Sequence, residues 1–170
     1  YLESLPSQKE NLSGLVVSDQ TGRENVAGRM FWYVYHAGHV VFGLSKGDYF
    51  DQVKPVFDPD RFTRRWTHLA FVYDHTIERA SLFVDGKLIN EIPITKPIPI
   101  VIGPAKIGRW DGFSNLGTRS LKGCVDELVI AGRPMTAEEI QRMYEAGKPA
   151  NVRNIAVRSN PSRRAPVGKQ

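Results

Sequence analysis

The sequence predicts an all-β fold, a two-sheet antiparallel β-sandwich with one short C-terminal helix. Short apolar runs rich in β-branched and aromatic residues recur over the first 130 residues, separated by glycine and proline. Helical periodicity begins only after residue 134. The chain has 170 residues, 41% of them hydrophobic, which is enough for one domain with a substantial core.

The first predicted strands cover residues 15–17, 30–35 and 40–44, and a turn at residues 36–39 joins the last two. Residues 45–64 are polar and contain proline, so we expect a long loop there, with room for a short strand around residues 53–57. Residues 66–73 are apolar at successive positions in their second half. This pattern is typical of a central strand that is covered on both faces.

The later strands are predicted around an Asp85-Gly86 pair and over residues 121–130. Asp-Gly between two strand-like runs favours a type I′ turn, since both residues must adopt positive φ. The lone cysteine, Cys124, lies in the last predicted strand, where a thiol usually acts as a small buried hydrophobe. Trp32 and Trp66 are likewise expected in the core.

The predicted helix starts near Thr136 and ends before Gly147 and Pro149. Thr136 can accept a hydrogen bond from the backbone amide of Glu139, whose carboxylate can bond back to the amide of Thr136. Such a helix closes an otherwise all-β unit.

Charge divides the chain into two parts. The formal net charge is +5, but residues 148–170 contain six basic and no acidic residues, and the remainder has 17 bases and 18 acids. We predict that residues 1–147 form the sandwich and that residues 148–170 are a basic disordered tail or linker. The alternative for this tail is an anionic partner. No pattern predicts specific nucleic acid binding, and no run is long enough for insertion into a membrane.

Four segments in order resemble a known family. They are the Trp-Thr-His-Leu-Ala strand within residues 65–74, the Leu-Phe-Val-Asp-Gly-Lys hairpin at 82–87, Ile-Gly at 107–108, and Gly-Cys-Val-Asp-Glu-Leu at 123–128 followed by the helix. Together they resemble laminin-G-like jelly rolls of the concanavalin A-like lectin/glucanase superfamily. The resemblance implies a recognition module of an envelope or secreted, bacterial protein, in some relatives attached to FecR-type membrane regulators.

Residues 1–4 resemble the continuation of a strand in this family. The resemblance therefore implies that one or more N-terminal strands are missing from residues 1–147, and that the module is joined to the rest of a parent polypeptide. Loss of such a strand would expose a sheet edge.

The sequence does not predict an enzyme, although the superfamily includes glucanases. Retaining glycosidases need two carboxyl groups about 5–5.5 Å apart on one face. Asp126 and Glu127 are adjacent and would point to opposite faces of a strand. Asp58 and Asp60 have the required spacing but flank Pro59 in a predicted loop.

Two kinds of binding site are predicted. Calcium is the one metal that the resemblance implies, with Asp126 as first and Asp74 as second candidate ligand. The alternative is that Asp126 accepts backbone amides and fixes the closing strand. For a glycan, exposed aromatic rings beside polar groups are the natural candidates, and those selected are Trp110, Asp111, Phe113, Asn115 and Tyr49.

The leading functional hypothesis is a non-catalytic module that binds carbohydrate or cell-surface proteins, located outside the cell or in its envelope. The alternatives are a structural or protein-interaction domain, acting as spacer or sensor in a membrane-anchored regulator, and a glycosidase-related fragment. The fold class alone does not separate them, because recognition sites on such sandwiches lie in variable loops.

Overall fold

The computed structural model describes residues 1–7, 11–18, 26–51, 58, 63–110 and 119–148. These residues form ten strands and one helix. The elements are β1 (Leu12–Ser18), β2 (Met30–Tyr35), β3 (Val40–Leu44), β4 (Tyr49–Asp51), β5 (Leu69–Asp74), β6 (Arg79–Val84), β7 (Lys87–Pro93), β8 (Ala105–Ile107), β9 (Arg109–Trp110), β10 (Arg119–Ser120) and α1 (Ala137–Gly147).

Five antiparallel strands form the larger sheet, in the order β4-β3-β2-β1-β8. The predicted hairpin between β2 and β3 is confirmed, with Gly38 at φ 81° in its turn. After β8 the chain passes through Gly108, at φ 69°, into β9, which pairs with β10. The β9 backbone lies directly against Gly14 of β1. A Cβ at this position would lie 2.8 Å from the carbonyl carbon of Arg109, so only glycine fits there.

Three antiparallel strands form the smaller sheet, in the order β5-β6-β7. The turn between β6 and β7 has Asp85 at φ 49° and Gly86 at φ 75°, which confirms the predicted Asp-Gly turn. The Asp85 carboxylate accepts the backbone amide of His68 at 3.1 Å and also pairs with Arg65. This turn is therefore attached to the chain entering β5.

The core lies between the two sheets. Val34 and Val40 of the larger sheet share a cluster with Leu82 and Val84 of the smaller one. Phe42 stacks on Phe71 across the interface, with ring centroids 4.0 Å apart and an interplanar angle of 14°. The two-sheet antiparallel β-sandwich with one C-terminal helix that the sequence predicts is confirmed.

The helix α1 begins at the predicted cap. The Thr136 hydroxyl accepts the Glu139 amide at 3.3 Å, and the Glu139 carboxylate accepts the Thr136 amide at 2.9 Å. Its Ile140 is 2% exposed, which anchors the helix to the sandwich. No described helix is both long and apolar enough to cross a membrane.

Several predictions about the smaller sheet and its surroundings are wrong. The strand predicted as central is β5, which has a single neighbour in the described chain and is half-exposed at every position. Trp66 is 42% exposed. Residues 124–130 form no strand, and Cys124 is exposed rather than buried. The common reason is that burial and pairing require a neighbouring strand, and within the described residues β5 has one on a single side and residues 125–130 pair with none.

The region 45–64, predicted as a loop, contains β4 at Tyr49–Asp51, and the short strand considered around residues 53–57 lies outside the described residues. The prediction failed because three residues at a sheet edge carry too short a pattern to be recognised. The predicted tail at 148–170 lies outside the described residues beyond Lys148.

Candidate ligand-binding face

The outer face of the larger sheet, opposite the core, carries a connected set of aromatic rings. In β2, alternate residues point to opposite faces, so Met30, Trp32 and Val34 face the core while Phe31, Tyr33 and Tyr35 face outward. Tyr49 from β4 and Trp110 from β9 complete the set. We call these five residues the aromatic row: Tyr49, Phe31, Trp110, Tyr33 and Tyr35.

The rings of the aromatic row contact one another in sequence. The Phe31 ring centroid lies 5.4 Å from that of Tyr49 and 5.7 Å from that of Trp110. Trp110 is in turn 5.0 Å from Tyr33, at 74°, and Tyr33 is 5.2 Å from Tyr35, at 77°. Edge-to-face arrangements of this kind are the preferred geometry of aromatic pairs.

Gly43 makes room for one end of the row. It pairs with Phe31 on one side and Tyr49 on the other. A Cβ at Gly43 would lie 2.4 Å from Cε2 of Phe31 and 2.9 Å from Cδ1 of Tyr49. Both rings therefore lie over the glycine, and this position accepts no larger residue without their displacement.

Exposure within the row is uneven. Phe31 and Tyr33 are buried, Trp110 and Tyr35 are half-buried, and Tyr49 is 63% exposed. The buried rings thus act as a floor on which the accessible rings rest. Flat, accessible rings held by others are suited to stacking against the apolar C–H face of a sugar.

Polar groups lie beside the row at both β9 and β2. Arg119 of β10 pairs directly with Trp110 and is buried, and its Nε has no hydrogen-bond partner among the residues that the structure describes. Near Tyr35, the imidazole Nδ1 of His36 lies 3.1 Å from the side-chain oxygen of Asn11. These groups could supply the few directional hydrogen bonds that orient a polar ligand.

Of the ligand-binding residues predicted from the sequence, the structure brings Tyr49 and Trp110 to the same Phe31 ring. Asp111, Phe113 and Asn115 lie outside the described residues. Sequence reasoning missed Phe31, Tyr33 and Tyr35 as members of the site. The period-two pattern of β2 indicated two different faces but could not tell which of them faces outward.

The two predicted calcium ligands do not form a metal site in the described residues, where no three His, Cys, Asp or Glu side chains group together. Asp74 accepts the hydroxyl of Thr76 at 2.6 Å and its amide at 2.9 Å, and these bonds hold the pKa of Asp74 below its ordinary value. Asp126 lies near the α-amino group of Tyr1 instead. Calcium binding at these residues stays a prediction.

Comparison with known proteins agrees with this architecture. The model of the Laminin_G_3 family, described as "Concanavalin A-like lectin/glucanases superfamily", matches residues 2–141. A search of curated proteins finds no significant match.

Two solved structures share the fold at low sequence identity. The receptor binding domain of botulinum neurotoxin D aligns with a TM-score of 0.54 and 13% identity, over 81% of this chain and 33% of that one. A "putative carbohydrate binding protein" from Bacteroides ovatus ATCC 8483 aligns with a TM-score of 0.51 and 19% identity, over 77% of this chain and 39% of that one. The chain thus spans well under half of either structure.

Proposed function

The chain belongs to the Laminin_G_3 family of the concanavalin A-like lectin/glucanase superfamily, and from that premise we propose that it is a non-catalytic, carbohydrate-binding module of a larger envelope or secreted protein. The observation that carries the proposal is the aromatic row. Its accessible end, Tyr49, rests on Phe31, so the ring is held in place before a ligand arrives. A pre-organised ring loses little conformational freedom on binding.

The chemistry of the outer face supports binding rather than hydrolysis. Strands β1, β2 and β3 contain no acidic residue, so these three central strands supply no carboxylate to the face. A retaining or inverting glycosidase requires two. The inward-facing side chains of the same strands are packed in the hydrophobic core.

The solved structures add support at the level of the fold. Part of the receptor binding domain of a neurotoxin and part of the Bacteroides ovatus protein share the fold of this chain. The common architecture is therefore compatible with recognition, and the choice of ligand depends on the residues of each face.

A glycan array probed with the full chain, with and without calcium, tests the proposal. We expect selective binding that Tyr49→Ala weakens about fivefold, because a ring contact contributes on the order of 1 kcal/mol and about 1.4 kcal/mol corresponds to a factor of ten. Ile77→Ala is the matched control, since Ile77 is 64% exposed, close to the 63% of Tyr49, but lies in the turn between β5 and β6.

The possible outcomes separate the hypotheses. If Tyr49→Ala and Ile77→Ala weakened glycan binding equally, the aromatic row would not be part of the binding site. No binding by a folded sample would contradict the proposal and favour the protein-interaction or spacer role. Loss of binding in chelator would show that calcium takes part. Trp110→Ala is less informative, because Trp110 also supports Phe31 and Tyr33 and its loss destabilises the face itself.

A further inference from the structure

A buried cation lies beside the aromatic row without a counter-charge among the described residues. Arg119 of β10 is 8% exposed. Its guanidinium makes no hydrogen bond or ion pair with any other residue that the structure describes, and its Nε is fully buried. A guanidinium stays charged in a protein, and burial of a charge without a partner costs free energy. This position therefore calls for an anion.

The register of β9 and β10 places Arg119 next to one member of the row. Arg119 is directly opposite Trp110 in the antiparallel pair, and opposed residues carry their side chains on the same face. The Trp110 ring centroid lies 5.0 Å from that of Tyr33 and 5.7 Å from that of Phe31. The cation and the rings of the row thus belong to one surface.

The backbone that carries Arg119 is attached to the larger sheet. The Gly108 amide donates to the Leu15 carbonyl at 2.8 Å, and the Leu121 amide donates to the Gly108 carbonyl at 2.7 Å. The Ser13 hydroxyl donates to the Ser120 carbonyl at 3.1 Å. Strands β9 and β10 are therefore held against β1, and the charge is in position before a ligand arrives. A pre-organised group loses little conformational freedom on binding.

The charges of the neighbouring strands have one sign. Strands β1, β2, β3, β8, β9 and β10 contain three charged residues, Lys106, Arg109 and Arg119, and all three are basic. Lys106 pairs with Val17 of the outward-facing cluster, which places it on the same face as the row. The acid of this sheet, Asp51, belongs to β4 at the opposite edge from β8. The Trp110 end of the face is therefore positively charged.

An anion beside aromatic rings defines a class of sugar. The planar guanidinium donates parallel N–H groups that match two oxygens of a carboxylate or a sulfate. A neutral sugar on the same rings would exclude water from the cation without replacing the lost hydrogen bonds, which is unfavourable. The surface therefore favours an acidic sugar over a neutral one of the same shape.

We propose that the ligand of the aromatic row is an acidic oligosaccharide, with a carboxylate or sulfate group bound by the Arg119 guanidinium and sugar rings lying on the accessible rings of the row. This inference rests on the proposed carbohydrate-binding function and names the class of carbohydrate.

The stability of a neutral variant tests whether the cation lacks a partner within the chain. Because no described anion pairs with Arg119, we expect Arg119→Met to leave the melting temperature of the ligand-free protein unchanged or to raise it. A decrease of more than about 5 °C would show that another part of the chain already neutralises the guanidinium, and would overturn the proposal.

Binding is measured with two pairs of probes that differ in charge alone. They are an oligogalacturonate with its methyl ester, and a sulfated galactan oligosaccharide with its desulfated form. We expect the full chain to bind the acidic member of at least one pair ten times more tightly than the neutral member, because hydrogen bonds between charged groups are strong. The pair that shows this preference identifies the anion as a carboxylate or a sulfate.

Arg119→Met should abolish the preference for the acidic probe. The matched control is Arg109→Met, which removes the same charge from the residue beside Trp110 but on the other face of β9. The basic residues of 148–170 are the same in all forms, and physiological salt screens their long-range attraction. We expect Arg109→Met to keep the preference.

The outcomes separate this inference from the function on which it rests. Equal losses in the two arginine variants would indicate general charge attraction and overturn the proposal. Neutral and acidic probes bound equally tightly, with both still weakened by Tyr49→Ala, would overturn it while leaving the carbohydrate-binding function intact. No binding of any glycan by the folded chain would contradict both.

Discussion

The two sheets of this sandwich are similarly apolar in sequence but very different in burial. Every residue of β3 is buried, and Leu44 and Val41 are 0% and 2% exposed. Every residue of β5 is half-exposed, although its Leu-Ala-Phe-Val-Tyr is as hydrophobic as the Val-Val-Phe-Gly-Leu of β3. β3 has a strand on each side and a sheet beneath it, whereas β5 has one neighbouring strand in the described chain and borders a cavity of about 720 Å³.

This difference shows that burial in a β-sandwich depends on the position of a strand in its sheet. Hydrophobicity indicates that a segment can be buried, but only neighbouring elements remove it from water. We therefore expect similar substitutions to reduce stability more in the larger sheet than at the β5 edge of the smaller sheet.

Phe42 and Phe71 give the largest expected contrast. They stack on each other and both line the cavity beside β5, but Phe42 is 4% exposed and Phe71 is half-exposed. We expect Phe42→Ala to reduce the free energy of unfolding by about 4 kcal/mol, and Phe71→Ala by about half as much, because less buried apolar area is lost when Phe71 is removed. Denaturant unfolding of the two variants measures this. Equal losses would mean that the two sheets are equally well packed.

Gly43 and Gly132 give a smaller contrast. A Cβ at Gly43 would overlap the rings of Phe31 and Tyr49, whereas a Cβ at Gly132 meets no atom within 4 Å. We expect Gly43→Ala to reduce stability by about 1–3 kcal/mol and to displace Tyr49, and Gly132→Ala to change it by less than about 0.5 kcal/mol. Unfolding curves measure both, and the fluorescence of Trp110 reports on the row. An unchanged fluorescence spectrum in Gly43→Ala would show that the row is not held by this glycine.

The helix cap gives the smallest expected effect on stability, and we expect this effect to be confined to the smaller sheet. α1 lies against the turn of the smaller sheet, where a Cβ at Gly86 would meet Gln141 and Tyr144. We expect Thr136→Ala to reduce stability by about 1 kcal/mol. Hydrogen exchange should increase in β6 and β7 more than in β2 and β3. A uniform increase would indicate that the two sheets open together.

The same cap predicts a pH dependence. The hydrogen bonds from Arg133 and then from the Thr136 amide lower the pKa of Glu139 from 4.5 to about 2. Since the folded pKa lies below the unfolded one, the stabilisation is complete above pH 4.5 and is lost as the pH falls through about 2. Glu139→Gln should therefore reduce the change in the free energy of unfolding over this pH range. Identical slopes for both proteins would exclude the carboxylate as the cause.

The sequence predicted those features whose determinants are local. The Asp85-Gly86 turn follows from two positive φ angles, and the helix start follows from Thr136 and Glu139, three residues apart. The sandwich itself followed from recurrent strand patterns. By contrast, the loop predicted at residues 45–64 concealed β4, because the pairing of three residues with β3 is decided by β3.

The candidate site was only half predicted for a related reason. Tyr49 and Trp110 could be selected as aromatic residues near polar neighbours, but their meeting on Phe31 depends on Gly43 and Gly108, which position β4 and β9. Strand β2 is apolar on both faces, so no local sequence pattern distinguishes its outward-facing rings from its inward-facing ones.

The sequence by itself thus determined the β2–β3 hairpin, the Asp85-Gly86 turn, the capped helix and the family, because each depends on patterns of residues a few positions apart. Only the tertiary structure decided that β5 lies at a sheet edge of the described chain, that residues 124–130 form no strand, and which rings of β2 face outward. These features depend on which distant segments become neighbours, and in a sheet those neighbours supply both the hydrogen bonds and the burial that give a segment its final state.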